Sequence, residues 1–168
     1  VLRARAGRIS ADQAWRQIAA GIGRGIADPA ELSLLDTSRA GPGRHTMRLY
    51  WSGTALAMLG DVALRTRDGS PASLDLALSR YLACCRARHV RRDPGRFLAD
   101  LDRQVGGDTL AGLYRAYVDG DAFPDVAPAW RALGITPRDD GSLEYGNDPA
   151  AVALRNAIMQ AAAPDTAP

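Results

Sequence analysis

The sequence contains no lysine, only two glutamates (Glu31 and Glu144) and only two histidines (His45 and His89) among 168 residues. All 21 basic side chains are therefore arginine, a bias that we attribute to the codon usage of the source before any function. The net charge of +2 does not require a polyanionic partner. The histidines lie 44 positions apart, so the HExxH pair of zinc ligands is absent. We expect no metal ligands in this chain.

Cysteines and long apolar segments are also scarce. Cys84 and Cys85 are adjacent. Because neighbouring cysteines rarely meet disulfide geometry, we expect both to be unpaired residues of a helix. They then give no information about the redox compartment of the protein. No apolar run reaches the roughly 18 residues of a membrane span, so no membrane partner is expected. Residues 80–96 hold six arginines against one aspartate, but no groove-reading motif accompanies them. A solvated helix end is therefore favoured there over a nucleic-acid site.

Apolar residues recur with helical spacing along nearly the whole chain, and no stretch alternates as a strand does. Capping residues divide the pattern into segments. Helices are predicted from Ser10 to Asp28, over 50–67, from Ser73, after the caps Asp93 and Asp108, around Trp130 and after Asp148. Residues 36–46 and 136–147 are predicted to be loops. The predicted fold class is all-α, an irregular bundle of about six or seven helices.

The segment predicted as a helix over 50–67 is apolar on most faces and should be central. Asp61 and Arg65 have the i, i+4 spacing of an ion pair on one helix face. The segment opens with Tyr50, Trp51, Ser52 and Gly53. Two large amphipathic rings beside a glycine are unusual for a purely structural helix, and they favour the wall of an active site.

Four segments, in order, resemble the C-terminal helical half of the catalytic domain in the glycyl aminopeptidase family. This family comprises zinc metallopeptidases with a thermolysin-like fold, related to the aminopeptidase N family. The segments are LRARAGRISADQAW, LYWSGTALAMLGDVALRTRDGSPASLDLAL, GRFLADLDRQVGGDTLAGLYRAYVDGDAFP and WRALGI. The resemblance covers roughly residues 2–135 and implies a helical subdomain over residues 1–135, whereas residues 136–168 are expected to form a polar loop, one further helix and a frayed tail.

The resemblance also implies a function. Tyr50 matches the tyrosine of the family's YxKG motif. This match implies that the Tyr50 phenol donates a hydrogen bond to the oxyanion formed during peptide hydrolysis. Trp51 and Gly53 are candidate substrate contacts, and helix packing is the alternative role for Trp51. The alternative for Tyr50 is a hydrogen bond from its hydroxyl to a backbone carbonyl. His45 precedes the motif in a glycine-rich segment and is interpreted as a solvated loop histidine.

The implied enzyme is a zinc-dependent aminopeptidase of which this chain is a C-terminal piece. Zinc and its ligands are then expected in the remaining N-terminal part of the parent protein, which would be the partner of this chain and share a cleft for a peptide substrate. The piece alone is expected to be inactive, and an exposed apolar surface would allow it to dimerise. Ser52 replaces the lysine of YxKG. That difference favours the alternative, a non-catalytic helical peptide-binding or scaffold module.

Overall fold

The computed structural model describes residues 1–28, 32–40, 45–69, 72–85 and 93–160. Nine helices and one two-stranded sheet lie within these ranges, so the all-α prediction is confirmed. The helices are α1 (Leu2–Arg5), α2 (Ala11–Ala27), α3 (Leu34–Ala40), α4 (Thr46–Arg65), α5 (Leu74–Cys85), α6 (Pro94–Val105), α7 (Thr109–Tyr117), α8 (Ala127–Leu133) and α9 (Pro149–Met159). The strands are β1 (Ile135–Pro137) and β2 (Leu143–Tyr145). None of the helices in these ranges has the length and apolar character needed to cross a membrane.

The chain divides into two compact units. Unit 1 contains residues 1–21 and 130–168, and unit 2 contains residues 22–129. The subdomain expected over residues 1–135 rests on the family resemblance and stays a prediction. The tail expected to fray begins at residue 161, and it lies outside the described residues, as do His89 and four of the six arginines of segment 80–96.

Unit 1 is held together by contacts between its two ends in sequence. Ser10 and Gln13 form the predicted capping box, since each backbone N–H donates to the other's side-chain oxygen at 3.0 and 3.1 Å. The rings of Trp15 and Trp130 pack edge to face with centroids 6.3 Å apart. Arg5 donates from Nε and Nη2 to the carbonyl oxygen of Ile158, which joins α1 to α9.

Residues 136–147 are not the predicted polar loop, because they contribute to an antiparallel hairpin. β1 and β2 pair in the register Ile135 with Tyr145 and Pro137 with Leu143. The buried side chains of Ile135 and Leu143 anchor the hairpin, while residues 136–141 between them are exposed. Strands of three residues are too short to produce a recognisable alternation, so the sequence pattern does not reveal them.

Unit 2 is built around α4, which packs against α3, α5 and α7. Its core consists of Leu64, Ala77, Tyr81, Leu101 and Leu110. α4 begins at Thr46, one turn earlier than predicted, and α3 occupies residues that were predicted as loop. The remainder of that predicted loop, residues 41–44, lies outside the described residues.

Helix caps follow the sequence at two positions and depart from it at a third. Asp93 and Asp148 each precede a helix-opening proline and accept a backbone N–H three residues later, at 3.0 and 2.9 Å. Asp108 precedes α7 but makes no side-chain cap bond. Its carboxylate pairs with Arg115 instead. The first turn of α7 is capped by Asp102, whose carboxylate oxygens accept the N–H groups of Leu110 and Ala111 at 3.0 and 2.8 Å.

The predicted ion pair of Asp61 and Arg65 is confirmed, with 3.0 Å between Oδ2 and Nε. The second oxygen of Asp61 accepts the backbone N–H of Leu74 at 2.8 Å and so caps α5 from α4. Arg65 also pairs with Asp75 at 3.1 Å. This network explains why a charged residue lies within the otherwise apolar α4.

Cys84 and Cys85 form a disulfide at the end of α5, with Cα atoms 3.7 Å apart. The expectation that they are unpaired is wrong. It rested on the usual Cα separation of bridged cysteines, about 4.4–6.8 Å, which a bridge between adjacent residues does not follow.

Candidate functional site

The four residues from Tyr50 to Gly53 lie in the second turn of α4 and differ sharply in exposure. Tyr50 is 63% exposed, Trp51 is partly buried, Ser52 is 1% exposed and Gly53 is exposed. Because α4 begins at Thr46, Tyr50 is not at the helix start. The field of the helix dipole is strong only within the first turn, so it contributes little at Tyr50.

The Tyr50 ring is held from one side and its hydroxyl is open. Its centroid lies 5.1 Å from that of Trp51 with an interplanar angle of 81°, an edge-to-face contact. Thr54 Oγ1 donates a hydrogen bond to the Tyr50 backbone carbonyl, and this bond does not include the phenol hydroxyl. Within the described ranges the phenol hydroxyl has no hydrogen-bond partner, so the alternative of a bond to a backbone carbonyl is not realised there.

Trp51 has a packing role on one side and a cation contact on the other. A Cβ added to Gly25 of α2 would lie 2.6 Å from both the Trp51 Cβ and the Phe123 ring. The close approach of α2 to α4 therefore requires glycine at position 25. The guanidinium carbon of Arg24 lies 5.3 Å from the Trp51 ring centroid, within cation–π range. Trp51 is thus a packing residue that also borders the surface carrying Tyr50.

The start of α4 is fixed by Asp28, which follows α2. Its Oδ2 accepts the backbone N–H of Arg48 at 3.0 Å, and its Oδ1 lies 3.2 Å from His45 Nδ1. The Arg48 hydrogen bond, followed by the one from His45, lowers the pKa of Asp28. The side chain of His45 is only 13% exposed, so its interpretation as a solvated loop histidine is wrong. Asp28, 17 residues earlier in the chain, holds it, and local sequence gives no signal of that contact.

Arg48 is a positioning residue that sequence analysis missed. It is 4% exposed and donates to the backbone carbonyl oxygens of Asp28, at 3.3 Å, and of Asp121. One arginine therefore holds two chain segments against the beginning of α4. Its Nε has no partner among the described residues. The sequence signal was weak because Arg48 is one of 21 arginines, and most of the arginines in the described ranges are exposed.

A cavity of about 430 Å³ lies within unit 2, beside the face of α4 that carries Ser52 and Gly53. Residues of α3, α5, α6 and α7 complete its wall, and among the described lining residues none is charged. Burial, with Asp93 nearby, raises the pKa of the Tyr114 hydroxyl in this wall, so it is neutral at ordinary pH. The α4 residues in the lining are Leu49, Ser52, Gly53, Leu56 and Ala57. Of the predicted site residues the structure thus brings only Gly53 to the cavity, and Tyr50 and Trp51 share the neighbouring surface.

The described residues do not fit a zinc ion. They contain no group of three or more histidine, cysteine, aspartate or glutamate side chains that would bind a metal. His45, a candidate nitrogen ligand, is paired with Asp28, and both cysteines are in the disulfide. No catalytic step in this chain is therefore assigned to a metal.

Comparison of the chain with protein-family models, with curated proteins and with solved structures finds no match.

Proposed function

We propose that this chain is the C-terminal helical part of the catalytic domain of a zinc-dependent aminopeptidase, in which Tyr50 stabilises the oxyanion of peptide hydrolysis. The observation that carries the proposal is the Tyr50 phenol, exposed on α4 and free of partners among the described residues. A phenol held by its ring with an open hydroxyl is the arrangement that a hydrogen-bond donor to substrate requires.

The chemistry of the phenol suits this role. A phenol hydroxyl carries one O–H donor, so it can donate one hydrogen bond. When a substrate carbonyl becomes tetrahedral, its oxygen gains negative charge, and a fixed donor at that point contributes about 3 kcal/mol once water is excluded. Trp51 restricts the ring through the edge-to-face contact. Gly53 lies one turn further along the same face and presents no side chain that would block an extended peptide.

The proposal assigns the remaining requirements to other parts of the enzyme. The N-terminal part of the parent catalytic domain supplies the zinc ligands and the general base. A peptide binds in a cleft between that part and the exposed surface of α4 that carries Tyr50 and Gly53, here called the Tyr50 surface. The isolated chain is then inactive. Nucleic acids and membranes have no part in this function.

A non-catalytic module that binds peptides or acts as a scaffold is the second candidate, and Ser52 is the residue that favours it. This residue occupies the position of the family lysine and is buried. No charged side chain therefore reaches the Tyr50 surface from that position, and one charge found in the resembling enzymes is missing.

The test is a cleavage assay on the full-length protein with glycyl and alanyl substrates. Tyr50→Phe should lower kcat by about 100-fold, since it removes one donor to the oxyanion and leaves substrate binding intact. KM and bound zinc, measured by elemental analysis, should not change. Tyr117→Phe is the matched control, because its phenol accepts a hydrogen bond from the Asp125 N–H elsewhere in unit 2. It should retain full activity.

The two candidates give different outcomes. Peptide binding without hydrolysis by the zinc-loaded protein would support the module. Hydrolysis that proceeds equally well with phenylalanine at position 50 would leave the enzyme but remove Tyr50 from its mechanism.

A further inference from the structure

The disulfide at the end of α5 joins two sulfurs that differ in their access to solvent. Cys84 is exposed, whereas Cys85 is partly buried and packs against the core cluster of unit 2. The helical period explains this difference, because Ala77, Tyr81 and Cys85 follow one another at intervals of four and share one face of α5. Ala77 and Tyr81 are 0% and 8% exposed, so this face is the buried one. Cys84 lies beside it, on the side open to reagents.

A thiol cleaves a disulfide by attacking one of its two sulfurs, and access to the attacked sulfur contributes to the rate. Both cysteines belong to the last turn of α5, so the field at the helix end acts on them similarly. The Cys84 sulfur lies 3.6 Å from the Tyr81 carbonyl oxygen of its own helix, a weak contact that leaves the residue exposed. Core side chains restrict the approach to Cys85. Access therefore favours attack at Cys84.

We propose that this pair is a reversible exchange site for low-molecular-weight thiols, in which Cys84 forms the mixed disulfide and Cys85 resolves it. A small thiol needs contact with only one exposed sulfur, so the site requires no groove around Cys84. The site lies on α5, and it goes beyond the proposed aminopeptidase function and does not depend on it. Its failure in the experiments below would leave the role of Tyr50 untouched.

The exchange balances in atoms and electrons. The thiolate of the small thiol forms a bond to Cys84 Sγ, the bond between the two cysteine sulfurs breaks, and Cys85 leaves as a thiolate that takes up the proton released by the small thiol. In the return step the Cys85 thiolate attacks Cys84 Sγ and expels the small thiol, which restores the bridge. In the forward step a second small thiol attacks the bound one. Two small thiols are then oxidised to their disulfide, and the pair is reduced to two cysteine thiols.

The first test asks whether the bridge forms and whether it re-forms after reduction. Because the sequence contains only these two cysteines, every thiol detected in the 168-residue chain belongs to the pair. The chain as purified should not react with the chromogenic disulfide dithionitrobenzoate. After reduction with a phosphine, and removal of the phosphine, it should release two equivalents of chromophore per chain and end with no reagent attached in the mass spectrum. A chain that reacts before reduction, or that keeps the reagent attached, would overturn the proposal.

Matched single variants, both checked for folding by circular dichroism, assign the two roles. Reduced Cys85→Ala, mixed with the disulfide of glutathione, should stop at a mixed disulfide on Cys84, because the resolving thiol is missing. Reduced Cys84→Ala should react at least about tenfold more slowly, because its remaining sulfur packs against the core. In concentrated urea the two variants should react at similar rates, since the difference in access depends on the fold. Equal rates in the folded state, or a difference that persists in urea, would contradict the assignment of Cys84.

The unmutated chain gives a readout that does not depend on how the variants fold. Glutathione is added to the bridged chain, the exchange is stopped with acid, and free thiols are blocked with a maleimide. Trypsin cleaves after arginine and releases residues 81–86, YLACCR, as one peptide that holds both cysteines. Tandem mass spectrometry should then find glutathione on Cys84 and the maleimide on Cys85. The reverse arrangement, or equal amounts of the two, would overturn the proposed direction of attack.

Discussion

Replacing Asp102 should destabilise unit 2 far more than replacing Asp108, although Asp108 holds the N-cap position of α7. Asp102 is 2% exposed and accepts the backbone N–H groups of Leu110 and Ala111 at 3.0 and 2.8 Å. Both donors belong to buried residues, so water cannot replace the carboxylate. The negative charge also faces the positive end of the α7 dipole. Asp102 thus joins α6 to the first turn of α7.

The magnitude follows from these two bonds. A hydrogen bond to a charged group contributes about 1.5–3 kcal/mol, so two contribute about 3–6 kcal/mol. Removal of a buried carboxylate returns part of its desolvation cost, and we therefore expect Asp102→Ala to lower the free energy of unfolding by about 3–4 kcal/mol. Asp102→Asn keeps one carbonyl acceptor and should cost about 2 kcal/mol.

Asp108→Ala is the matched control. The Asp108 side chain is 65% exposed and pairs only with the exposed Arg115, so its loss should cost less than about 1 kcal/mol. Urea unfolding followed by circular dichroism measures the difference, and amide hydrogen exchange at Leu110 and Ala111 reports the local opening. If Asp108→Ala costs as much as Asp102→Ala, or if exchange at these two amides is unchanged in Asp102→Ala, the capping argument is wrong.

Two further predictions concern polar contacts in the two units. Asp61→Asn retains an acceptor for the Leu74 N–H but loses the charge beside Arg65. It should lower the free energy of unfolding, measured in urea, by about 1 kcal/mol, whereas Asp61→Ala should lower it by about 2–3 kcal/mol. Burial, followed by the hydrogen bond to Asp12, raises the pKa of Tyr145 to about 12. This pKa lies above the ordinary value of about 10, so folding favours the neutral phenol. The resulting contribution to the free energy of unfolding is fully present below pH 10 and is lost as the pH rises through 12. An NMR titration should show that Asp12→Asn lowers the pKa of Tyr145, and an unchanged value would contradict the assigned contact.

Local sequence signals predicted seven of the nine helices in the described ranges, and they did not predict α1 and α3. The capping box of Ser10 and Gln13, and the Asp-Pro pairs that begin α6 and α9, are correct because donor and acceptor lie within three residues of one another. The loop predicted over residues 36–46 was wrong where α3 lies, and the predicted start of α4 was wrong. Asp28, which lies 20 residues before Arg48, determines that start, so no window of neighbouring residues contains the signal.

The candidate site was predictable only in part. The YWSG segment was predicted to open its helix, and the structure places it in the second turn of α4, with Tyr50 and Gly53 exposed. The small residues Gly53 and Ala57 lie on the face that borders the cavity. The cavity itself is formed by five helices, and the buried positions of Ser52 and Arg48 depend on their packing. A helical period identifies which residues share a face, but the partner of that face is decided by contacts between distant segments.

The position of Tyr50 in the second turn changes the source of its proposed catalytic effect. At a helix start, the N-terminal dipole would favour the oxyanion together with the phenol. One turn inside the helix that contribution is small, and a phenol that is 63% exposed donates to water as readily as to a substrate. Its effect on catalysis then depends on exclusion of water, which a surface facing it must provide. In the proposed enzyme, docking of the N-terminal part and the peptide over the Tyr50 surface therefore provides the low-dielectric environment that makes the single hydrogen bond catalytically significant.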